Sequence, residues 1–287
     1  LIFSFSAGHE PVLSVPAGEE IRFHTRDALN GSLKNPGDIT DKIDSRKVNP
    51  ATGPVYIEGA ETGDTLTIDI LEIDPVGHSV ILTLPGLGIL GDRVEQGDFK
   101  IVKLKDGQGI FSDDIRLPLR PMVGVIGVAP AEEEIPNNTP GDHGGNLDTN
   151  PVTVGSTVYL PVNVEGALLA LGDVHALMGE GEMCISGLEC DAVVKVKPGL
   201  IKGKTIPGPR IRQGSRFMTV ASHEDLKQAV AMAADRMIDY LMEAKGLSWT
   251  DAYMLISIAA DARISQVVDP LMTARVEIDC EVLGIEP

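Results

Sequence analysis

Two short stretches of the chain combine histidine, carboxylates and glycines at a density that no other part of it approaches. The first covers residues 141–148 (GDHGGNLD) and the second covers residues 172–182 (GDVHALMGEGE). Glycine lets the backbone bend, so imidazole and carboxylate groups in such stretches can converge on one point. Residues 152–171 between them read as β structure. We therefore expect one compact sheet region to bring both stretches together.

The side chains in these stretches have the types needed for a catalytic metal centre, which typically has three protein ligands and an open position for water. The candidate ligands are His143, Asp148, His175 and Glu182. Asp27, at the end of an early strand, could complete the set. A bound metal ion lowers the pKa of water from about 16 towards 7 and polarises a carbonyl group, so this set indicates hydrolysis.

Two other interpretations use the same residues. A histidine or aspartate in a glycine-rich loop is often only a turn former, and the chain has no HExxH or HxH pattern. A non-catalytic β protein could also use such clusters to bind a cation for stability or to hold a ligand. Covalent catalysis ranks below metal-assisted attack, because the chain lacks a GxSxG elbow and Cys184 has no basic neighbour.

Composition restricts the class of protein and its partners. The chain has 287 residues, 43% of them hydrophobic, so it can bury a large core. Its formal charge of -18 repels phosphate backbones and anionic membranes, which excludes nucleic acid as a partner and suits a neutral or cationic substrate or bound cations. No apolar run is long enough to span a bilayer, so no membrane association is expected. Three cysteines at unrelated spacings predict reduced thiols and a cytoplasmic location.

Glycine and proline are spread through the chain between short alternating apolar segments, a pattern typical of a mainly β fold. We expect β-sandwich or jelly-roll-like and barrel-like sheets. Strands are predicted near residues 2–5, 11–15, 20–23, 55–58, 64–73, 80–84, 99–104, 110–119, 122–130 and 192–196. Residues 30–54 are predicted to form a long surface loop.

A small α+β part with a pair of helices is predicted near the C-terminus. Ser222 with Asp225 marks the first helix start, Gly246 its end, and Ser248 with Asp251 the second start. Residues 275–282 then alternate as a closing strand. The predicted organisation is a β-rich core over 1–215, with both motifs, and a helical pair and closing strand over 216–287, packed as one intimate unit.

The two motifs carry a resemblance to a known family. Residues 139–148 (TPGDHGGNLD) resemble the PGxHGGNMD signature of the acetamidase/formamidase family. Residues 159–182, from YLPV to GALLALGDVHALMGEGE, resemble its LPV...GALLxxGDxHAxQGDGE signature. Residues 23–27, 57–64 and 124–130 match further segments, so the resemblance covers nearly the whole chain.

The resemblance implies hydrolysis of formamide or acetamide to the carboxylic acid and ammonia. It also implies a β-rich homo-oligomer that holds a divalent metal, with zinc as the first choice and calcium as the alternative. The family's acidic and histidine positions fall on Asp27, His143, Asp148, Asp173, His175 and Glu182. The chain departs from the family pattern at Met178, where glutamine is usual, and at Glu180, where aspartate is usual.

These observations lead to a hypothesis of metal-activated water attacking a short aliphatic amide. The metal ligands are expected among Asp27, His143, Asp148, His175 and Glu182. The catalytic residues are expected among Glu182 or Glu180 as general base, His175, and Asn146 for the oxyanion. Gly144, Gly145 and Met178 are the candidate substrate-binding residues. A hydrolase of a larger or cyclic amide would keep this site and change only the pocket.

Overall fold

The computed structural model describes residues 1–35, 38 and 40–285, and the described chain is mainly β with two α-helices near its C-terminal end. The predicted mainly β class is confirmed. The strands are Ser4–Phe5 (β1), Leu13–Pro16 (β2), Ile21–Thr25 (β3), Ala51–Glu58 (β4), Thr65–Thr83 (β5), Asp98–Lys105 (β6), Gln108–Ile110 (β7), Arg116–Pro118 (β8), Met122–Gly127 (β9), Ile135–Pro136 (β10), Gly144–Asn146 (β11), Ser156–Pro161 (β12), Leu169–His175 (β13), Glu189–Ile201 (β14), Arg210–Gln213 (β15), Arg216–His223 (β16), Ala260–Gln266 (β17) and Met272–Asp279 (β18).

One large sheet organises the molecule. Its central path runs β11-β9-β13-β14-β5-β12-β15-β16-β18-β17, with β3 also paired to β14 and β4 also paired to β13. Neighbouring strands on this path are antiparallel. Over the described residues the sheet is not closed, so the expected barrel-like sheets are not found.

The longest strand, β5, joins two predicted strands into one. Leu66, Ile68 and Ile70 alternate on its buried face, as the sequence predicts. The polar residues between the two predicted strands do not interrupt it, because β14 pairs with it along nearly its whole length. These alternating residues contribute to the main hydrophobic core, which also includes side chains of β3, β4, β9, β12, β13 and β14.

The helical pair packs on the far end of the sheet. Helix α1 is Leu226–Lys245 and helix α2 is Trp249–Ala259. Gly246, with φ 65°, ends α1, and the Ser248 side chain caps α2, both as predicted. The N-cap of α1 is Asp225 and not Ser222, because β16 continues through Ser222, whose hydroxyl lies 2.9 Å from that of Thr273.

Strand β17 was missed, since its residues follow α2 without a turn signal. It pairs with β18, next to the helices. The helices and their strands enclose a second hydrophobic core around Ala233, Met237 and Leu241. Strands β15 and β16 form a hairpin across the expected boundary at residues 215 and 216, and the division into two parts stays a prediction.

The predicted loop over residues 30–54 contains two short 3-10 turns, Thr40–Lys42 and Ser45–Lys47, and ends earlier than expected because β4 begins at Ala51. Residues 36, 37 and 39 of that loop lie outside the described residues, as do residues 286 and 287. None of the helices in the described part of the chain is long and apolar enough to cross a membrane.

Candidate active site and metal centre

The centre of the site is a histidine and a glutamate that face each other on neighbouring strands. His175 is the last residue of β13 and Glu189 is the first residue of β14, and the two are paired in the antiparallel ladder. Oε2 of Glu189 lies 3.1 Å from Nε2 of His175. The other oxygen, Oε1, accepts a hydrogen bond from the backbone N–H of Gly187 at 3.0 Å. The turn between the strands therefore holds the Glu189 carboxylate in place beside His175.

Three more carboxylates surround the same ring nitrogen. Nε2 of His175 lies 3.4 Å from Oδ1 of Asp173, 3.8 Å from Oδ1 of Asp148 and 3.8 Å from Oε1 of Glu182. All five side chains are buried. Two sets of ligand atoms lie close enough together to hold a metal ion, within 4.8 Å of one another. The first set comes from Asp148, Asp173 and His175, and the second from His175, Glu182 and Glu189. We call these five residues the acidic cluster: Asp148, Asp173, His175, Glu182 and Glu189.

The acidic cluster lacks a compensating lysine or arginine. In the described part of the chain, the only basic group within salt-bridge distance of these carboxylates is His175. Both oxygens of Asp148, Oδ1 of Asp173 and Oε2 of Glu189 are buried without a hydrogen-bond partner. A buried carboxylate without a partner is strongly unfavourable, so these oxygens must bind a proton or a cation.

Burial raises the pKa of most of these carboxyl groups. It raises the pKa of Glu189 to about 8 and that of Asp148 to about 6. Burial, with the nearby charge of Asp148, also raises the pKa of Glu182 well above its ordinary value. For His175 burial opposes the charged ring, but the carboxylates of Glu189 and Asp173 outweigh it and raise the pKa.

Asp173 is the exception in the acidic cluster. Burial acts to raise its pKa, but the charge of His175 and hydrogen bonds to that carboxyl group lower it overall. One of these bonds comes from Nδ2 of Asn49, which donates to Oδ2 of Asp173 at 2.7 Å. The acidic cluster thus contains one carboxylate that is held as an anion, Asp173, and two that exchange protons near neutral pH, Glu189 and Asp148.

Three of the four carboxylates are on residues with left-handed backbone. The φ angles are 39° at Asp148, 52° at Asp173 and 47° at Glu182. A non-glycine residue in this region costs about 1–3 kcal/mol and persists only where the surrounding structure imposes it. The fold therefore holds these carboxylates together against both backbone preference and charge repulsion.

Gly124 on β9 makes room for two of the carboxylates. A Cβ atom there would lie 2.5 Å from Oδ1 of Asp148 and 3.1 Å from Oδ2 of Asp173. It would also lie 2.8 Å from the backbone oxygen of Asp173. Only glycine fits at this position of the strand, so Gly124 is part of what shapes the acidic cluster.

Two further side chains orient the polar groups. Sδ of Met178 lies 3.3 Å from Nδ1 of His175, where the thioether can accept a hydrogen bond from an Nδ1–H group. Nε2 then faces the carboxylates. Asn146 donates from Nδ2 to Oδ2 of Asp269 at 3.0 Å, and its own Oδ1 is buried without a partner. Burial, together with the charge of Asp148, raises the pKa of Asp269 well above its ordinary value.

A cavity of about 470 Å³ opens above the acidic cluster. Its polar lining comes from the cluster and from neighbouring side chains, and includes Asn49, Asn146, Asp173, Glu182, Glu189 and Asp269. Leucine, isoleucine, valine and proline side chains line much of the remaining wall. A small polar ligand in this cavity can reach the carboxylates directly.

The structure brings together part of the set expected from the sequence. Asp148, His175 and Glu182 meet in the acidic cluster, and Asn146 lines the same cavity. Met178 contacts His175 and is not part of the cavity lining. Gly144 and Gly145, with φ 98° and 84°, belong to β11, where Gly144 donates its N–H to the backbone oxygen of Gly141.

Three other expected residues lie elsewhere in the structure. The ring of His143 packs against Phe5 with centroids 5.2 Å apart, and burial lowers its pKa to about 4. Oδ1 of Asp27 accepts hydrogen bonds from the N–H groups of Leu29 and Gly31. Both oxygens of Glu180 accept from Arg275, at 2.8 and 2.6 Å. Among the described residues, none of the three contributes an atom to a set of ligand atoms close enough to hold a metal ion. Their assigned roles stay predictions.

Sequence reasoning missed Glu189, Asp269, Asn49 and Gly124 as site residues. Glu189 lies opposite His175 because of the register between β13 and β14, which no local pattern in the sequence fixes. Asp269 and Asn49 lie in loops far from both motifs along the chain, and no local pattern marks them.

Comparison with known proteins gives a consistent result. The model of the acetamidase/formamidase family matches residues 8–139 and 134–283. The crystal structure of an acetamidase from Bacillus halodurans is 42% identical, with a TM-score of 0.96 over 99% of this chain and 96% of that chain. A predicted acetamidase/formamidase from Thermoanaerobacter tengcongensis is 43% identical, with a TM-score of 0.97 over 100% and 96% of the two chains.

A protein named formamidase also occurs among relatives with lower sequence identity. The formamidase of Methylophilus methylotrophus is 26% identical over 253 residues, which are 67% of this chain and 61% of that protein. The chain spans about three fifths of the length of the curated relatives it matches.

Proposed function

Because this chain belongs to the acetamidase/formamidase family, we propose that it hydrolyses short linear amides to the carboxylic acid and ammonia. The observation that carries the proposal is the acidic cluster beneath the cavity, with its four carboxylates around Nε2 of His175. Formamide and acetamide are small and neutral, and suit a cavity whose floor is rich in carboxylates. The names of relatives with formamidase and acetamidase activity support the same reaction.

The acidic cluster fits a divalent cation. Asp148, Asp173 and His175 would hold it, since four oxygens in the cluster have no hydrogen-bond partner and the ring nitrogen faces them. A histidine nitrogen among oxygen ligands suits zinc better than calcium, which prefers oxygen alone, so we propose zinc. A cation there would lower the pKa of water and polarise the amide carbonyl group.

Glu182 acts as the general base in this proposal. Its side chain lines the cavity, and burial beside Asp148 raises its pKa, which makes it a stronger base towards the attacking water. The water oxygen bonds to the amide carbon, and the proton then passes from Glu182 to the nitrogen as the carbon–nitrogen bond breaks. Ammonia leaves and the carboxylic acid remains.

Asn146 lines the cavity and contacts the amide group of the substrate. One N–H of its Nδ2 donates to Asp269, which leaves the second N–H for the oxyanion, and its Oδ1 is an acceptor for the N–H groups of the amide. Glu180 is a weaker candidate for the base than Glu182, because Arg275 occupies both of its oxygens.

The test is ammonia release from formamide and acetamide, with metal content measured on the same samples. We expect Glu182→Gln to lower kcat by about 10²–10⁴-fold with the metal retained, as loss of a general base does. We expect His175→Ala to lose both metal and activity. Glu180→Gln is the matched control and should keep most activity. Normal turnover by Glu182→Gln would refute the assigned base, and absence of ammonia release by the wild type would refute the reaction.

We also propose that the protein is a homo-oligomer of the cytoplasm. Support for assembly comes from helix α2, where Tyr253, Met254 and Ile258 are exposed large hydrophobic residues. Support for the location comes from the three cysteines, all of which are free thiols. Light scattering on the purified protein tests assembly, and a mass equal to one chain would contradict it.

A further inference from the structure

The cavity above the acidic cluster is larger than formamide or acetamide requires. Its volume of about 470 Å³ lies in the range of about 300–1,000 Å³ typical of pockets that enclose drug-sized ligands. Acetamide has a single methyl group beyond the amide. A substrate of that size would leave most of the cavity to water.

The unused part of the cavity has a continuous apolar wall. Leu29 and Leu82 belong to one buried hydrophobic cluster, and Ile43 and Leu84 pack against the same cluster. All four also line the cavity. Since these residues contact one another, the wall is one surface and not a scatter of separate apolar side chains.

Leu87 and Ile185 add two further apolar side chains to the lining of the cavity. Leu87 follows β5 in a glycine-rich turn and is 46% exposed. Ile185 lies three residues after Glu182 and has a φ angle of 85°. A β-branched residue is strongly disfavoured there, yet its side chain lines the cavity beside the acidic cluster.

The cavity has carboxylates on its floor and apolar side chains along its wall. We infer that the preferred substrates are primary amides with a straight apolar acyl chain of about four to eight carbons. The inference rests on the proposed amide hydrolysis and names its substrate class. The amide group occupies the carboxylate floor beside Asn146, and the acyl chain lies along the wall formed by Leu29, Ile43, Leu82, Leu84, Leu87 and Ile185. The bond that breaks is still the carbon–nitrogen bond, and ammonia is still released.

Ammonia release is measured for acetamide, butanamide, hexanamide and octanamide. Each buried methylene contributes about 0.8 kcal/mol, so kcat/KM should rise about fourfold per added carbon until the wall is filled. A kcat/KM for acetamide equal to or above that for hexanamide overturns the inference. N-butylacetamide serves as a comparison, and a kcat/KM for it above that for hexanamide overturns the placement of the acyl chain.

A pair of exposed leucines in one loop supplies the variants. Leu87→Ser should lower the ratio of kcat/KM for hexanamide to that for acetamide by on the order of fivefold, because the side chain lines the wall. Leu90→Ser is the matched control, since Leu90 is 61% exposed and is not part of the cavity lining. Equal ratios in the two variants overturn the inference.

Direct binding separates this inference from the proposed reaction. If no amide of any length is hydrolysed, the proposed function fails, and calorimetric titration with hexanamide and acetamide still tests the cavity. Binding of hexanamide at least tenfold tighter than acetamide, weakened in Leu87→Ser, supports the apolar wall. Equal affinity for the two amides overturns it.

Discussion

Oε2 of Glu189 lies 3.1 Å from Nε2 of His175, across a residue pair of two antiparallel strands. This pairing makes the acidic cluster a property of the sheet, because β13 delivers Asp173 and His175 while β14 delivers Glu189. Glu182 comes from the connection between β13 and β14, and Asp148 comes from the connection between β11 and β12. Strand pairing and these two connections together hold the carboxylates around His175.

The first prediction concerns Glu189. We expect Glu189→Gln to lower zinc affinity and kcat/KM by about 10–100-fold, since it removes an anion beside Nε2 of His175 and keeps the shape of the side chain. Metal content after dialysis and ammonia release measure the two effects. Asp191→Asn, at a half-buried position of the same strand outside the acidic cluster, is the control. Unchanged metal affinity in Glu189→Gln would show that this carboxylate is not needed.

The second prediction concerns the strand beneath the carboxylates. Gly124→Ala places a methyl group 2.5 Å from Oδ1 of Asp148, so either the carboxylate or β9 must move. We expect a loss of about 1–3 kcal/mol in the free energy of unfolding, together with loss of activity. Urea denaturation and ammonia release measure these. Gly179→Ala should be tolerated, because no atom of the described residues lies within 4 Å of its added methyl group. Equal effects of the two substitutions would contradict the steric argument.

The third prediction concerns the pH dependence of stability in protein freed of metal by a chelator. Burial raises the pKa of Glu189 from 4.5 to about 8 and that of Asp148 from 3.8 to about 6. Between the ordinary and raised pKa values the folded state binds more protons than the unfolded state, so stability falls as the pH rises. His175, whose pKa is also raised, changes stability in the same direction above pH 6.5. Asp173 has a lowered pKa and acts oppositely, in the acid range.

We therefore expect the Tm of the metal-free protein to fall between pH 5 and pH 8. The free energy of unfolding should fall by about 1.4 kcal/mol per pH unit for each extra proton held by the folded state. Calorimetry across this range measures it. Added zinc should restore much of the stability at pH 8, because the cation replaces the protons. A Tm that rises over this range would contradict the burial of unpaired carboxylates.

The fourth prediction concerns the sulfur beside the histidine. Met178→Leu removes the acceptor 3.3 Å from Nδ1 of His175, which frees the ring to change tautomer. We expect kcat/KM to fall by about tenfold. Met178→Gln supplies a carboxamide oxygen in place of the sulfur and should retain activity. A pH profile of kcat/KM for both variants measures the effect, and equal activity of the two would show that the acceptor is unimportant.

Several parts of the fold follow from local pattern alone. The alternation of Leu66, Ile68 and Ile70 predicts a half-buried strand, and the Ser248 cap and Gly246 stop define helix ends, because these signals act within one turn or one strand. The start of α1 could not be placed in this way. Two possible caps stand three residues apart, and strand pairing with β18 occupies Ser222, so Asp225 becomes the cap.

The sequence by itself determined the two motifs, the family resemblance and four members of the acidic cluster: Asp148, His175 and Glu182, with Asp173 through the resemblance. Only the tertiary structure added Glu189, by strand pairing, and Asp269, by a distant loop. It also placed His143 against Phe5. The physical reason is that a ligand set depends on distances between side chains, and sheet register fixes those distances between residues whose separation along the chain carries no local signal.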